Sequence, residues 1–243
     1  LTANYAVYPY SENTTVTAEG VINYTLPATQ TYAVNSFGLG ANVMVAVTED
    51  KEDKYLAFKN IGGYFEFSLY GEGITVKNIV LSGNNGEKLA GDVAVTATYG
   101  GTPSVVFADD AMTSLTLDCG EGVALGADAE HATRFWFVVP AMTYTDGITL
   151  TIIDTKGRVM QKKTSNSITI GRSTVQPLSA FEVEAAPIPT NQIWYTSTDG
   201  KVVTPFNVAD TIFAEIEGEG LQFRDARYRA IMECYQANRG SVA

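Results

Sequence analysis

Short apolar segments separated by polar, glycine-rich turns fill the first 185 residues, and the stretch Thr133–Thr164 shows the pattern most plainly. Phe135-Trp136-Phe137-Val138-Val139 is aromatic and β-branched, which suits a pleated surface, and it stops at Pro140, which has no N–H for a central ladder. Trp136 lies between Phe135 and Phe137, so in a strand it points to the face opposite theirs. Ile148–Ile153 alternates apolar and polar positions, the period of a half-buried strand. Asp154-Thr155-Lys156-Gly157 supplies turn chemistry, and Arg158–Thr164 returns as a polar strand. The three strands predict an antiparallel sheet with one face buried and one face wet.

The same grammar predicts strands at Tyr5–Tyr10, Val21–Leu26, Val43–Thr48, Tyr55–Lys59, Tyr64–Tyr70, Ile74–Ser82, Asp92–Thr98 and Ser114–Asp118. Between them, Gly62-Gly63, Gly71-Glu72-Gly73, Asn84-Asn85-Gly86, Gly100-Gly101 and Gly120-Glu121-Gly122 read as turns needing positive φ. Many short strands with such turns indicate an all-β fold, an antiparallel β-sandwich, and not a βαβ array. Ala185-Ala186-Pro187-Ile188-Pro189 marks a boundary, because two prolines in three residues stiffen the path and disfavour helix. The domains are then a sandwich region at 1–185, a linker at 186–192 and a C-terminal module at 193–243. In that module Ile193–Thr196 and Lys201–Val203 flank Ser197-Thr198-Asp199-Gly200 as a hairpin. Leu221, Phe223, Tyr228, Ile231 and Tyr235 then predict an amphipathic helix over Leu221–Asn238.

Composition narrows the partners. At 243 residues, 45% hydrophobic and 18% charged, the chain can bury a substantial core. Its net charge of −11 repels phosphate backbones and anionic lipid, so nucleic acid and a polybasic membrane contact are both disfavoured. No run of 18 apolar residues suits direct membrane insertion. The run Glu49–Lys54 mixes signs and reads as a solvated hairpin tip. The chain opens at Leu1, without a Met, directly into strand-like sequence, and a preceding segment is expected.

Candidate chemistry is sparse. His131 is the only histidine, in a polar loop with no nucleophile motif near it, and reads as an exposed loop residue. Cys119 and Cys234 form no CxxC or zinc pattern; they could pair in an oxidising compartment, but two separate thiols are the preferred reading, at least one of them buried. Gly83–Lys88 lacks Walker spacing, and Asp154–Arg158 carries a single acid, short of a calcium loop. Asp109-Asp110 and Glu121 sit in turns, although paired carboxylates for glycoside hydrolysis need no sequence spacing. No cofactor and no metal is implied. Among the aromatics, Tyr5, Tyr8, Tyr10, Tyr64, Tyr70, Tyr99, Trp136 and Tyr144 suit either core packing or a sugar-stacking platform. Trp136 and Tyr144 are the candidate ligand contacts.

Several segments together resemble the fimbrillin-like surface proteins of Bacteroides-type bacteria, a family of pilus subunits and anchors. They are Tyr5–Tyr10 (YAVYPY), Leu26-Pro27-Ala28-Thr29-Gln30, Phe58–Leu69 (FKNIGGYFEFSL), Ile79–Gly91 (IVLSGNNGEKLAG), Leu115–Val123 (LTLDCGEGV), Trp136–Pro140 (WFVVP) and Ile148–Gly157 (ITLTIIDTKG). Ala141 stands where the family often carries a second proline. The resemblance covers about residues 1–185 and implies a transthyretin-like sandwich, often two per protein, on a secreted, lipoprotein-derived chain displayed outside the outer membrane. It further implies a non-enzymatic adhesin or fimbrial component whose partners are other subunits joined by strand complementation, with host or glycan ligands as further partners. A carbohydrate-binding sandwich module is the alternative, and a hydrolase the third reading. Ile193–Pro205 (IWYTSTDGKVVTP) resembles the segment that opens leucine-rich-repeat regions in surface proteins of the same bacteria, although no repeats follow.

Overall fold

The fold was taken from a computed structural model, which describes residues 1–184, 192–196 and 202–207. Contacts divide the chain into two units, Leu1–Ala186 and Pro187–Ala243. The first unit is all-β and holds two hydrophobic cores, between which the chain passes back and forth. Strands β1 (Tyr5–Tyr8), β2 (Thr15–Val16) and β3 (Val21–Leu26) begin a smaller sandwich, and β4 (Thr29–Ala33) and β5 (Ser36–Phe37) cross to a larger one. β6 (Met44–Val47) and β7 (Lys59–Asn60) return to the smaller, and β8 (Gly62–Tyr70) and β9 (Thr75–Gly83) cross again. β10 (Gly91–Thr96) and β11 (Ser104–Phe107) complete the smaller sandwich. The remaining strands build the larger: β12 (Ser114–Ala124), β13 (Thr133–Pro140), β14 (Met142–Tyr144), β15 (Ile148–Asp154), β16 (Val159–Thr164), β17 (Ile168–Ile170), β18 (Val175–Pro177) and β19 (Phe181–Glu182).

In the smaller sandwich a sheet of order β1-β6-β7 faces one of order β11-β10-β3-β2. Ile22, Tyr24, Val43, Val45, Ile61, Val93 and Val95 fill the space between them. In the larger, a sheet of order β16-β15-β9-β12-β4-β5 faces β13-β8-β18, which β19 extends along β8. Alternation decides which side chains enter that core. Phe65, Phe67 and Leu69 of β8 point inward while Tyr64, Glu66, Ser68 and Tyr70 do not, and opposite them Phe135 and Phe137 of β13 are fully buried. The four phenylalanines form a run of stacked rings, with Phe67 at centroid distances of 5.4, 5.7 and 6.0 Å from Phe65, Phe135 and Phe137.

Several expectations are corrected by packing. The antiparallel all-β sandwich itself is as expected, with parallel pairing added where β4 lies along β12 and where β18 and β19 lie along β8. Tyr55–Phe58 forms no strand; Asp50 and Asp53 carboxylates accept the Glu52, Asp53 and Tyr55 N–H groups, which holds the chain in local turns and leaves Tyr55 87% exposed. Gly62-Gly63 is not a turn but the start of β8, where a Cβ on Gly63 would collide with the Gly171 carbonyl. Gly120-Glu121-Gly122 lies within β12 as a bulge, with φ of 60° and 120° at its two glycines. β13 continues through Pro140, which pairs with Gly62 at the strand end, where a missing N–H costs little.

The β15–β16 hairpin matches its sequence reading: Asp154 Oδ1 accepts from Lys156 N at 2.9 Å and from Arg158 N at 2.8 Å, and Gly157 takes φ 74°. In the second unit β20 (Gln192–Thr196) pairs antiparallel with β21 (Val202–Asn207). The predicted helix over Leu221–Asn238 and the linker prolines lie outside the described residues.

Candidate functional site at the open flank of the smaller sandwich

The predicted ligand-contact rings fall apart in space. Tyr144 is 0% exposed, sits in the larger core, and turns its hydroxyl to the Pro140 carbonyl at 3.4 Å, so its ring offers no surface to a ligand. Burial raises its phenol well above the ordinary range. Trp136 lies on the opposite, outer side of the sheet, half-buried across from Glu66, and its buried indole Nε1 has no hydrogen-bond partner among the described residues. Arg134 Nε meets Glu66 Oε1 at 3.0 Å on that face. The other rings do not gather around it: Tyr5 packs on the smaller core, Tyr64 stacks on Phe37 at 5.1 Å, and Tyr99 is exposed after β10.

The titratable candidates are also dispersed. His131 is exposed, with Nδ1 2.7 Å from Asp128 Oδ1. Asp128 caps a short 3-10 turn, Ala129–His131, and those hydrogen bonds, led by the one from the His131 side chain, hold its carboxyl below its usual value. Asp109 is exposed and 3.6 Å from Lys88 Nζ. Cys119 is buried and forms no disulfide among the described residues, and burial pushes its thiol up to about 12, with the nearby Asp118 charge adding to the rise and Lys77 opposing it. Cys234 lies outside the described residues.

What the structure does assemble is an unfinished flank on the smaller sandwich. Strand β11 is a β-branched run between Gly100-Gly101-Thr102-Pro103 and Asp109-Asp110, a signal present in the sequence but passed over because the run is only four residues long. It pairs with β10 on one side and, among the described residues, has no strand on the other. Ala108 N donates to Asp92 O at 2.9 Å, which makes Asp92 and Ala108 a hydrogen-bonded pair. Alternation then sends the backbone groups of Val105 and Phe107 away from β10, toward the open side. Their side chains point into the sandwich yet remain only half-buried, while Val106 on the other face is 66% exposed.

The facing sheet is unfinished at the same flank. Its edge strand β7 has two residues, and Lys59 Nζ spans the gap to the Gly101 carbonyl. Alongside β11 lies a cavity of about 320 Å³ with predominantly apolar walls. The smaller sandwich contributes Leu26, Val43, Ile61, Val105 and Phe107, and the larger contributes Val138 and Met142. Gln30 also lines it but is engaged: its side-chain amide donates to Val138 O at 2.7 Å and accepts from Val138 N at 2.9 Å, closing the free edge of β13 as a strand would. Arg172 is the charged side chain of the lining, carried on the turn after β17 beside Ser173, whose φ of 59° is left-handed. This geometry can receive an added strand along β11 and an apolar group beneath it.

No protein-family model matches the chain, and no curated protein matches it. Among solved structures it is similar to a candidate cell adhesion protein from Bacteroides ovatus, at 15% identity and a TM-score of 0.45 over 74% of this chain and 62% of that one. A candidate cell adhesion protein from Bacteroides uniformis aligns at 17% identity and a TM-score of 0.38, over 73% of this chain and 67% of that one. A candidate adhesin from Bacteroides ovatus aligns at 11% identity and a TM-score of 0.26, over 77% of this chain and 76% of that one. The chain therefore spans less than two thirds of the length of the first of these proteins.

Proposed function

We propose that this protein is a non-enzymatic cell-surface adhesin or fimbrial component that engages a partner by accepting a strand along β11. One observation carries the reading: among the described residues, β11 is an edge whose outward backbone groups and half-buried Val105 and Phe107 lack a neighbour on one side. An added strand pairs those groups and covers that apolar surface, at roughly 25 cal/mol per Å² removed from water. The resemblance of residues 1–185 to fimbrillin-like proteins supports the surface and fimbrial parts of the reading. So does the acidic charge, which keeps such a scaffold away from nucleic acid and anionic lipid.

Proline at position 105 tests it. Val105→Pro removes an outward N–H without touching the β10 ladder, whereas Val106→Pro removes a ladder N–H and unsettles the strand itself. The expected result is that Val105→Pro keeps the wild-type melting transition and loses self-assembly and binding to bacterial or host surfaces. Unchanged association by the folded Val105→Pro variant overturns the reading, as does a wild-type chain that neither assembles nor binds any such surface.

A second reading, a carbohydrate-binding module, rests on Trp136, whose half-buried ring lies across from Glu66 and carries an unpaired Nε1. Glycan binding lost in Trp136→Phe, which keeps an aromatic ring and removes the N–H, would favour it.

A further inference from the structure

We propose that the cavity beside β11 binds a free single-chain carboxylate of medium length, its hydrocarbon tail among the apolar walls and its carboxylate on Arg172. The size fits: at about 30 Å³ per water-sized group, a space of about 320 Å³ takes roughly ten such groups, the bulk of a ten-carbon acid. The walls fit as well. Leu26, Val43, Ile61, Phe107, Val138 and Met142 offer a tail dispersion contacts and nothing to hydrogen-bond.

The head-group end is defined by what remains uncommitted. Gln30 spends both its amide groups on Val138 and has little left for a ligand. Arg172 spends only Nη1, on Asn60 O at 3.5 Å and Ser173 Oγ at 3.3 Å, both long for a guanidinium. No acidic side chain pairs with it among the described residues, although the chain carries 27 Asp and Glu against 16 Lys and Arg. A guanidinium with a free fork at an apolar cavity selects a planar anion that it can grip with two parallel N–H groups. Carboxylate is that anion on a hydrocarbon chain. Neutral alcohols lack the charge and alkylammonium ions are repelled.

Calorimetric titration of the full chain with decanoate, decanol and decylammonium tests the site without any partner protein, so its outcome is independent of strand addition. Decanoate is expected to bind at least tenfold more tightly than decanol, and decylammonium not measurably. Arg172→Gln should bring decanoate down to the decanol level, Arg172→Lys should keep part of the preference, and Val43→Trp, which fills the cavity, should abolish both. Variants are compared only where the far-ultraviolet spectrum and melting transition match wild type, which the long contacts of Arg172 lead us to expect for its substitutions. Equal affinity for decanoate and decylammonium, or full decanoate preference in folded Arg172→Gln, overturns the proposal. So does binding to phosphatidylglycerol vesicles with none to free decanoate, which would place the acyl source in a membrane.

Discussion

The two sandwiches of the first unit follow one alternation of inward and outward residues, yet they bury their inward residues to different depths. The centre of the larger is a run of fully buried phenylalanine rings, its strand β8 is covered by β18 and β19, and the edge of β13 is stopped by the Gln30 side chain. The smaller is packed with valine and isoleucine, and its inward residues Tyr5, Val7, Val105 and Phe107 are only half-buried. The inward residues of an edge strand are covered when it has a neighbour, and among the described residues β11 has none beyond β10. The larger core is the more deeply buried, and the smaller leaves outward backbone groups and apolar surface beside β11.

The sharpest way to break this contrast is Phe67→Ala. Phe67 touches three other rings, so urea denaturation should show a loss of about 3–5 kcal/mol, the range for a buried phenylalanine replaced by alanine. Next in size is Gln30→Leu, which leaves the Val138 N–H and C=O buried and unpaired at about 1–3 kcal/mol each; a loss confined to a few tenths in the same assay would show that Gln30 does not close that edge. Phe107→Ala should cost only roughly 1 kcal/mol, because a half-exposed ring gains a fraction of full burial. Destabilisation equal to that of Phe67→Ala would mean that the smaller sandwich buries its inward residues as deeply as the larger.

A further effect is alkaline. Burial raises the Cys119 thiol from 9.0 to about 12 and raises Tyr144 as well, so the folded state keeps protons that the unfolded state releases. The stabilisation from Cys119 is fully present below about pH 9 and is lost as pH rises toward 12. Melting temperatures should therefore fall through that window, and Cys119→Ala should flatten the fall. A slope identical to wild type would show that the thiol is not protected. Iodoacetamide at pH 8 should leave Cys119 unmodified until the protein is unfolded.

Strands with a long, clean period were legible. Val21–Leu26 agrees residue for residue, and the β15–β16 hairpin follows from alternation plus Asp-Thr-Lys-Gly turn chemistry. Failures have a common origin in short-range ambiguity. Tyr55–Phe58 carries strand-forming side chains, but two aspartates upstream offer its backbone local partners and no second sheet face covers it. Gly120–Gly122 carries a turn signature, but flanking residues pair with β9 on both sides and turn the same positive φ values into a bulge. Of the proposed site, Val105 and Phe107 sit in a run too short to stand out, and Arg172 and Gln30 are ordinary residues in sequence. The alternation of β13 sets Trp136 opposite Phe135 and Phe137, but only the packing buries Tyr144 completely.

The sequence by itself determined the all-β class, the inward and outward faces of its long strands and the acidic surface, because these depend on side-chain period, turn chemistry and charge, which are local or additive. Only the tertiary structure decided that the strands divide between two cores, that Gln30 seals one edge while β11 stays open, and that Arg172 stands over an apolar cavity. Those outcomes depend on which distant segments become neighbours, as residues 30 and 138 do, and pairing of that kind is set by the competition of whole sheets for partners.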